Sequence, residues 1–217
     1  MSLKMGSQNE WMSEMHVRKY LDKYIDVPRR NEGESVLLDH VPDNAKRILD
    51  LGTGDGRLLR ILKTRRSHNE IDEAVVIDVS PIMLKRVKEN FVHDNRVKII
   101  EHDLQNPLPK LGQFDAVVSS FVIHHLEHER KKSLYTEIFS ILKPTGVFCN
   151  LEHVASPTQK LHERFFEALG TTVQSEDKSD KLLDVNTQLE WLKEIGFTDV
   201  DCYWKWLELA LLIGVKP

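Results

Sequence analysis

Leu49-Asp50-Leu51-Gly52-Thr53-Gly54-Asp55-Gly56 is the stretch on which the reading of the fold turns. It begins in a short apolar run, residues 48–51, and is followed by Leu58, Leu59, Ile61 and Leu62 at helical spacing. A strand, a glycine turn and a helix are therefore expected in that order. The glycines let the backbone bend sharply and let a ligand approach without an intervening Cβ. The helix that opens there presents free N–H groups to a polar ligand. The spacing is G-x-G-x-G, whereas a dinucleotide fingerprint places its third glycine one residue later. Asp55, inside the turn, is also an unfavourable neighbour for a pyrophosphate.

Working outward, apolar runs at 74–77, 97–100, 114–118 and 147–151 read as further strands. Residues 81–91 open with Pro81 at a first helical position and carry Met83, Leu84, Val87 and Phe91 on one stripe. A helix over 129–142 is closed by Pro144 and Gly146. Ser156-Pro157-Thr158-Gln159 and Thr187-Gln188-Leu189-Glu190 read as capping boxes of two later helices, stopped by Gly170 and Gly196. Between them, residues 171–181 are polar and acidic and are expected to be mobile. Residues 198–206 and 207–215 follow one another so closely that they must pair antiparallel, with Val200, Cys202 and Trp204 expected on one side. In the N-terminal 45 residues, His16, Tyr20 and Tyr24 recur at helical spacing, beside the stripe Val17, Leu21 and Ile25. The strand–helix alternation predicts a mostly parallel sheet covered by helices on both faces.

The chain has 217 residues, 41% of them hydrophobic, enough for one generous domain. Thirty basic and 34 acidic residues give a net charge of -4, which argues against nucleic acid as the main partner. The basic runs at 64–68 and 129–132 read as solvated helix ends. Two cysteines without a CxxC pair indicate neither a disulfide framework nor a zinc knuckle. Residues 1–10 show no signal-peptide pattern, and the longest apolar run, 207–215, is broken by Glu208 and too short to span a bilayer. A cytoplasmic monomer or homodimer without a membrane span is the expectation.

Asp78 ends the second strand, placed to accept hydrogen bonds from the two hydroxyls of a ribose. Asp103 follows the third strand, within reach of an exocyclic adenine amino group. With these acids beside the glycine turn, the chain resembles the class I S-adenosylmethionine (SAM)-dependent methyltransferases of the small-molecule and ubiquinone type. Residues 49–56, 75–84, 102–104, 114–126 and 142–148 carry the resemblance. Thr145 departs from it, standing where that family usually has a glycine. The fold implied is an α/β, Rossmann-like three-layer sandwich, with a mostly parallel seven-stranded sheet and a C-terminal antiparallel hairpin. As one domain, the chain divides into a helical cover (1–45), a SAM-binding core (46–151), an acceptor-side insertion (152–185) and a terminal helix and hairpin (186–217).

The resemblance also implies roles. Asp50, Gly52, Thr53, Gly54 and Gly56 would hold the methionine end of SAM. Asp78 and Val79 would bind the ribose, with Met83 packed nearby. Asp103 and Leu104 would read adenine, and Ser119 and Ser120 would line the methionine side. Arg29 or Arg30 is the candidate for the SAM carboxylate. His124 and His125, just after the fourth strand, lie beside the expected methyl and could take a proton from an oxygen or nitrogen acceptor. A metal held by His124, His125, His128, Glu152 and His153 is the alternative chemistry. No tight ligand spacing supports it, so no metal is expected. The reaction expected is methyl transfer from SAM to an O or N atom of a small molecule, leaving S-adenosyl-L-homocysteine. The absence of an Asn/Asp-Pro-Pro-Tyr/Phe segment after the fourth strand favours such an acceptor. The alternatives are a SAM-binding partner subunit without turnover, and a methyltransferase acting on RNA or protein. The acceptor pocket is expected between the N-terminal helix and residues 152–169.

Overall fold

The computed structural model describes residues 27–66 and 71–217, together with Met15. The expectations for His16, Tyr20, Tyr24 and the stripe beside them lie outside the described residues. Seven strands form one sheet in the order β3-β2-β1-β4-β5-β7-β6. They are β1 (Arg47–Leu51), β2 (Glu73–Asp78), β3 (Val97–Glu101), β4 (Phe114–Ser120), β5 (Leu142–His153), β6 (Thr198–Trp206) and β7 (Leu209–Val215). The first five run parallel, and β7 is antiparallel to both β5 and β6. Helices α1 (Arg30–Asp39), α2 (Arg57–Arg65), α3 (Pro81–Asn90), α4 (His128–Ile141), α5 (Gln159–Ala168) and α6 (Val185–Ile195) complete the three layers.

Strand alternation divides the core. Ile48, Val76, Ala116, Val118 and Cys149 pack against α1, α2 and α3 through Leu37, Leu59 and Val87. Leu49, Leu51, Val75, Val117 and Phe148 face the opposite way, onto Leu134, Tyr135 and Ile138 of α4 and Leu192 of α6. Both faces of the central strands are thus apolar, as a parallel sheet buried on both sides requires. Chain order reverses at β1, whose neighbours are β2 and β4. Register sets Leu51 beside Ile77 and Ser119, so the ends of these strands share the edge where ligands bind in such folds.

Several local expectations are corrected. Thr158, not Ser156, caps α5, its side chain accepting from the Leu161 N–H. Asp184, not Thr187, caps α6, and Thr187 lies within the first turn, donating to it. The true caps stand two and three residues from the predicted ones because Ser, Thr and Asp compete for the same role. Val200, Cys202 and Trp204 do not share a side. The register of β6 on β7 shifts between Cys202 and Trp204. Val200 packs with the α4–α6 cluster, whereas Trp204 packs with the α1 side. A bulge inserts a residue and so reverses the alternation. Lys131, expected on a solvated helix end, is 1% exposed, its ammonium donating to the Lys181 carbonyl.

The hairpin is integral to the sheet. Leu209, Leu211, Leu212 and Ile213 of β7 are at most 2% exposed. Burying each contributes about 1.5–3 kcal/mol, so together they approach the ~5–15 kcal/mol that holds a domain folded. Truncation before Thr198 is therefore expected to give insoluble or unfolded protein. A soluble product with a cooperative thermal transition would show that the first five strands suffice.

Candidate functional site

Four acids surround the glycine turn after β1. Asp50 is buried and accepts from the Thr53 hydroxyl at 2.6 Å. Burial pushes its carboxyl up to about 7; the Thr53 bond opposes this, and the charges of Asp78, Glu34 and Asp55 add to it. Asp78 accepts from the Gly54 N–H at 2.9 Å and the Ser80 N–H at 2.8 Å. Burial raises its carboxyl as well, against those backbone bonds. Glu34, 1% exposed, is paired by Arg30 at 2.7 Å and Arg57 at 2.9 Å. So concentrated a negative field suits a cationic ligand and repels a pyrophosphate.

The turn itself is shaped for close approach. Gly52 and Gly54 have φ of +65° and +56°, and a Cβ built on Gly54 would meet nothing within 4 Å. Around it, Val79 follows Asp78, and Ser80 caps α3 so that Met83 is buried beneath it. Asp103 accepts from the Gln105 N–H at 2.9 Å, and Leu104 is 6% exposed. Ser119 is buried and donates to the Leu51 carbonyl at 3.2 Å. Ser120 Oγ is buried with no hydrogen-bond partner among the described residues. Gly56 caps α2 at φ +81°. Arg29 is 60% exposed and paired with Glu32 at 2.8 Å. Arg30 faces inward over the Phe121 ring and lines the cavity described next.

After β4 the chain makes a tight turn, with Phe121 at φ +57° and its N–H donating to the Leu151 carbonyl at 2.8 Å. A short 3-10 turn, Ile123–His125, then carries the histidine pair. His124 is 7% exposed. Burial, with His125 beside it, drives its imidazole well below the ordinary histidine range, so it is neutral. Its Nδ1 lies 3.0 Å from Glu152 Oε1. Burial pushes Glu152 up to about 8, although Lys131 and neighbouring histidines favour its charge. Asp180 lies 3.3 Å from His125 Nδ1, 3.6 Å from His124 Nε2 and 3.4 Å from His153 Nδ1. Burial works against charge on His153, yet its bonds to Asp180 and Glu208 lift it to about 9. Burial likewise opposes charge on Asp180, but His125 and His153 hold it far below the usual carboxylate range. Glu208, fully buried at the hairpin turn, bridges His153 and His162 at 2.9 Å each.

This network floors a cavity lined by Val27, Arg30, Phe121, His124, Phe165, Phe166 and residues 175–177. Three acids, two of this network and one of the glycine-turn cluster, were missed in the sequence. Asp180 lies in the segment expected to be mobile, which packs down so that the Lys181 N–H donates to the His124 carbonyl at 2.9 Å. Glu34 carried no local signal, and Glu208 stood out only as the charge that breaks the apolar run 207–215. His128 is exposed at the start of α4, away from the other candidates.

A family model described as a methyltransferase domain matches residues 48–146. An ornithine lipid N-methyltransferase of Singulisphaera acidiphila is 25% identical over 130 residues, 58% of this chain and 67% of that protein. The fold matches an O-methyltransferase family protein from Burkholderia thailandensis with a TM-score of 0.73 and 17% identity, over 95% of this chain and 61% of that one. The chain thus spans about three fifths of that protein's length. It also matches the N-methyltransferase NodS of Bradyrhizobium japonicum, solved with S-adenosyl-L-homocysteine, with a TM-score of 0.68 and 16% identity, over 96% of this chain and 100% of that one. Residues 48–146 thus match a methyltransferase domain, within a fold shared with solved methyltransferases. The residues here fit SAM as a ligand: the acid cluster suits its cationic ammonium and sulfonium, and the turn at Gly54 leaves room for its approach. Among the described residues, no helix is long and apolar enough to cross a membrane.

Proposed function

We propose that this chain is a class I SAM-dependent methyltransferase, with SAM as cofactor and S-adenosyl-L-homocysteine as product, that transfers a methyl group from SAM to an oxygen or nitrogen atom of a small molecule held in the cavity above the His124–His125 turn. The observation that carries the reading is the position of that cavity. Phe121 and His124 line it, and Val122 between them packs against Gly52, so the acceptor cavity adjoins the cofactor turn. SAM supplies an activated methyl on a sulfonium; the chain must align the acceptor and exclude water. Asp50, Thr53 and Gly54 are assigned to the methionine end, Asp78 and Val79 to the ribose, and Asp103 and Leu104 to adenine. Ser119 and Ser120 are assigned to the methionine side. Arg30, inside the cavity, is the better placed of the two arginines for the SAM carboxylate. Phe121, Phe165 and Phe166 provide apolar walls, with a few polar groups to orient the acceptor. His124 Nε2 is assigned the acceptor's proton, its Nδ1 being engaged by Glu152; His125 packs against it with ring centroids 4.0 Å apart. A cytoplasmic location and a monomer or homodimer go with this reading.

The test is a screen of small amines, phenols and carboxylic acids read by S-adenosyl-L-homocysteine release. Once an acceptor is found, His124→Ala is expected to slow turnover by about 10²–10⁴-fold, the range for a lost general base. SAM affinity should stay within about threefold, or ~0.7 kcal/mol. Parallel loss of SAM binding and turnover would place His124 in the cofactor site or in folding. SAM binding with no turnover on any acceptor class would favour the partner-subunit reading.

A further inference from the structure

We propose that His124, His125 and Asp180 form a binding site for a divalent transition-metal cation on the floor of the acceptor cavity. One ligand atom from each of the three lies within 4.8 Å of the others. Asp180 Oδ1 stands 3.3 Å from His125 Nδ1 and 3.6 Å from His124 Nε2. Ligand atoms bound tetrahedrally at about 2.1 Å from one ion are about 3.4 Å apart. The two distances to Asp180 Oδ1 are therefore close to the separation an ion demands, and the pair of imidazole nitrogens lies within 4.8 Å.

A second observation comes from Asp180 itself. Its side chain is 8% exposed, and Oδ1 makes no hydrogen bond among the described residues. A buried carboxylate oxygen left in that condition is costly, and a cation between it and the two imidazoles offsets the cost.

The outward-facing atoms of the triad are already held. His124 Nδ1 contacts Glu152 Oε1 at 3.0 Å, which fixes its ring and leaves Nε2 for the ion. Asp180 Oδ2 is 3.4 Å from His153 Nδ1, and His153 Nε2 is 2.9 Å from Glu208 Oε2. Carboxylate partners behind ligating histidines are the usual support of a metal centre. His125 Nδ1 also lies 3.0 Å from Ser179 Oγ, a contact that it exchanges for the ion.

Two imidazoles and one carboxylate select zinc, manganese, iron or nickel over magnesium or calcium. Three protein ligands leave a coordination position open, and His124 and Asp180 line the same cavity as Phe121 and Phe165, where the acceptor is placed above. The ion takes the same His124 Nε2 lone pair that is assigned the acceptor's proton, so coordination and imidazole base catalysis alternate at one atom. The binding site rests on its own geometry and does not require the methyl-transfer reading.

The experiment uses the full chain without a histidine tag, stripped with chelator and titrated calorimetrically with ZnCl2 or with MgCl2. One zinc per chain is expected, with a Kd of about 10 µM or tighter, and no binding of magnesium in that range. CoCl2 should give visible d–d absorption. His125→Ala and Asp180→Asn should each weaken zinc binding by at least about 30-fold, whereas His162→Gln, outside the triad, should stay within about threefold. S-adenosyl-L-homocysteine affinity on the same preparations reports folding independently of the metal. The proposal is overturned if wild-type protein competent for S-adenosyl-L-homocysteine shows no saturable zinc binding. It is equally overturned if either variant, similarly competent, binds zinc like the wild type.

Discussion

Asp50→Asn is expected to abolish useful SAM binding while raising the melting temperature of the ligand-free protein at pH 8. Burial pushes the Asp50 carboxyl up to about 7, against about 3.9 in an unfolded chain. A folded-state value above the unfolded one means stability that is fully present below the unfolded pKa. It is lost as pH rises through about 7. At pH 8 the folded protein therefore carries a buried carboxylate at a cost of up to ~4 kcal/mol. Asparagine removes the charge and can still accept from the Thr53 hydroxyl, though its amide N–H groups need partners. A net gain of about 2 kcal/mol, or roughly 4–8 °C, is expected. The advantage over wild type should shrink toward pH 5, where Asp50 is already protonated in the folded state.

Ligand binding moves the other way. A cationic ligand group requires the ionised carboxylate, so wild-type affinity for SAM should fall about tenfold between pH 8 and pH 6. Asp50→Asn should weaken it by about 3 kcal/mol or more, the scale for removing one partner of a buried charge pair. Scanning calorimetry across pH and isothermal titration with SAM check both halves. A variant that binds SAM like wild type, or that is destabilised at pH 8, would remove Asp50 from the role assigned to it.

Substituting the two glycines of the turn should separate folding from binding. A Cβ on Gly52 would lie 2.2 Å from Val122 Cγ2 and 2.4 Å from its Cγ1, at φ +65°. Left-handed strain of about 1–2 kcal/mol adds to an overpacking cost of similar size, so Gly52→Ala should lose about 3 kcal/mol, or roughly 6–12 °C. Val122→Ala in the same chain should recover part of that loss. Gly54 has nothing within 4 Å, so Gly54→Ala carries only the backbone strain, about 1–2 kcal/mol. Its methyl enters the space assigned to the cofactor, and SAM affinity should fall by about tenfold or more, ~1.4 kcal/mol. Equal melting temperatures for the two variants would contradict the packing of Val122 on the turn. Unchanged SAM affinity in Gly54→Ala would move the cofactor away from it.

The sequence by itself determined the architecture and the sheet edge at which the cofactor is placed. Residues 48–51, 74–77 and 114–118 are apolar on both faces, and only a strand buried on both sides needs that pattern. The glycine turn, Asp78 and Asp103 are legible because strand ends in a parallel sheet meet at one edge whatever the loops do. Pro81, Gly170 and Gly196 mark helix boundaries through backbone constraints that are local to each residue. What only the tertiary structure decided is everything that depends on distant segments meeting. Asp180 reaches His124, 56 positions earlier in the chain, because residues 171–181 fold down onto the β4 turn. Glu208 joins His153 and His162 because antiparallel pairing sets the hairpin turn beside the end of β5. Glu34 draws in Arg57 across 23 positions and adds to the field on Asp50. The side on which Trp204 lies was decided by a bulge that strand alternation cannot reveal. Short-range preferences act between neighbours in sequence, whereas a buried charge is held by whichever partners the packed core brings within hydrogen-bond distance.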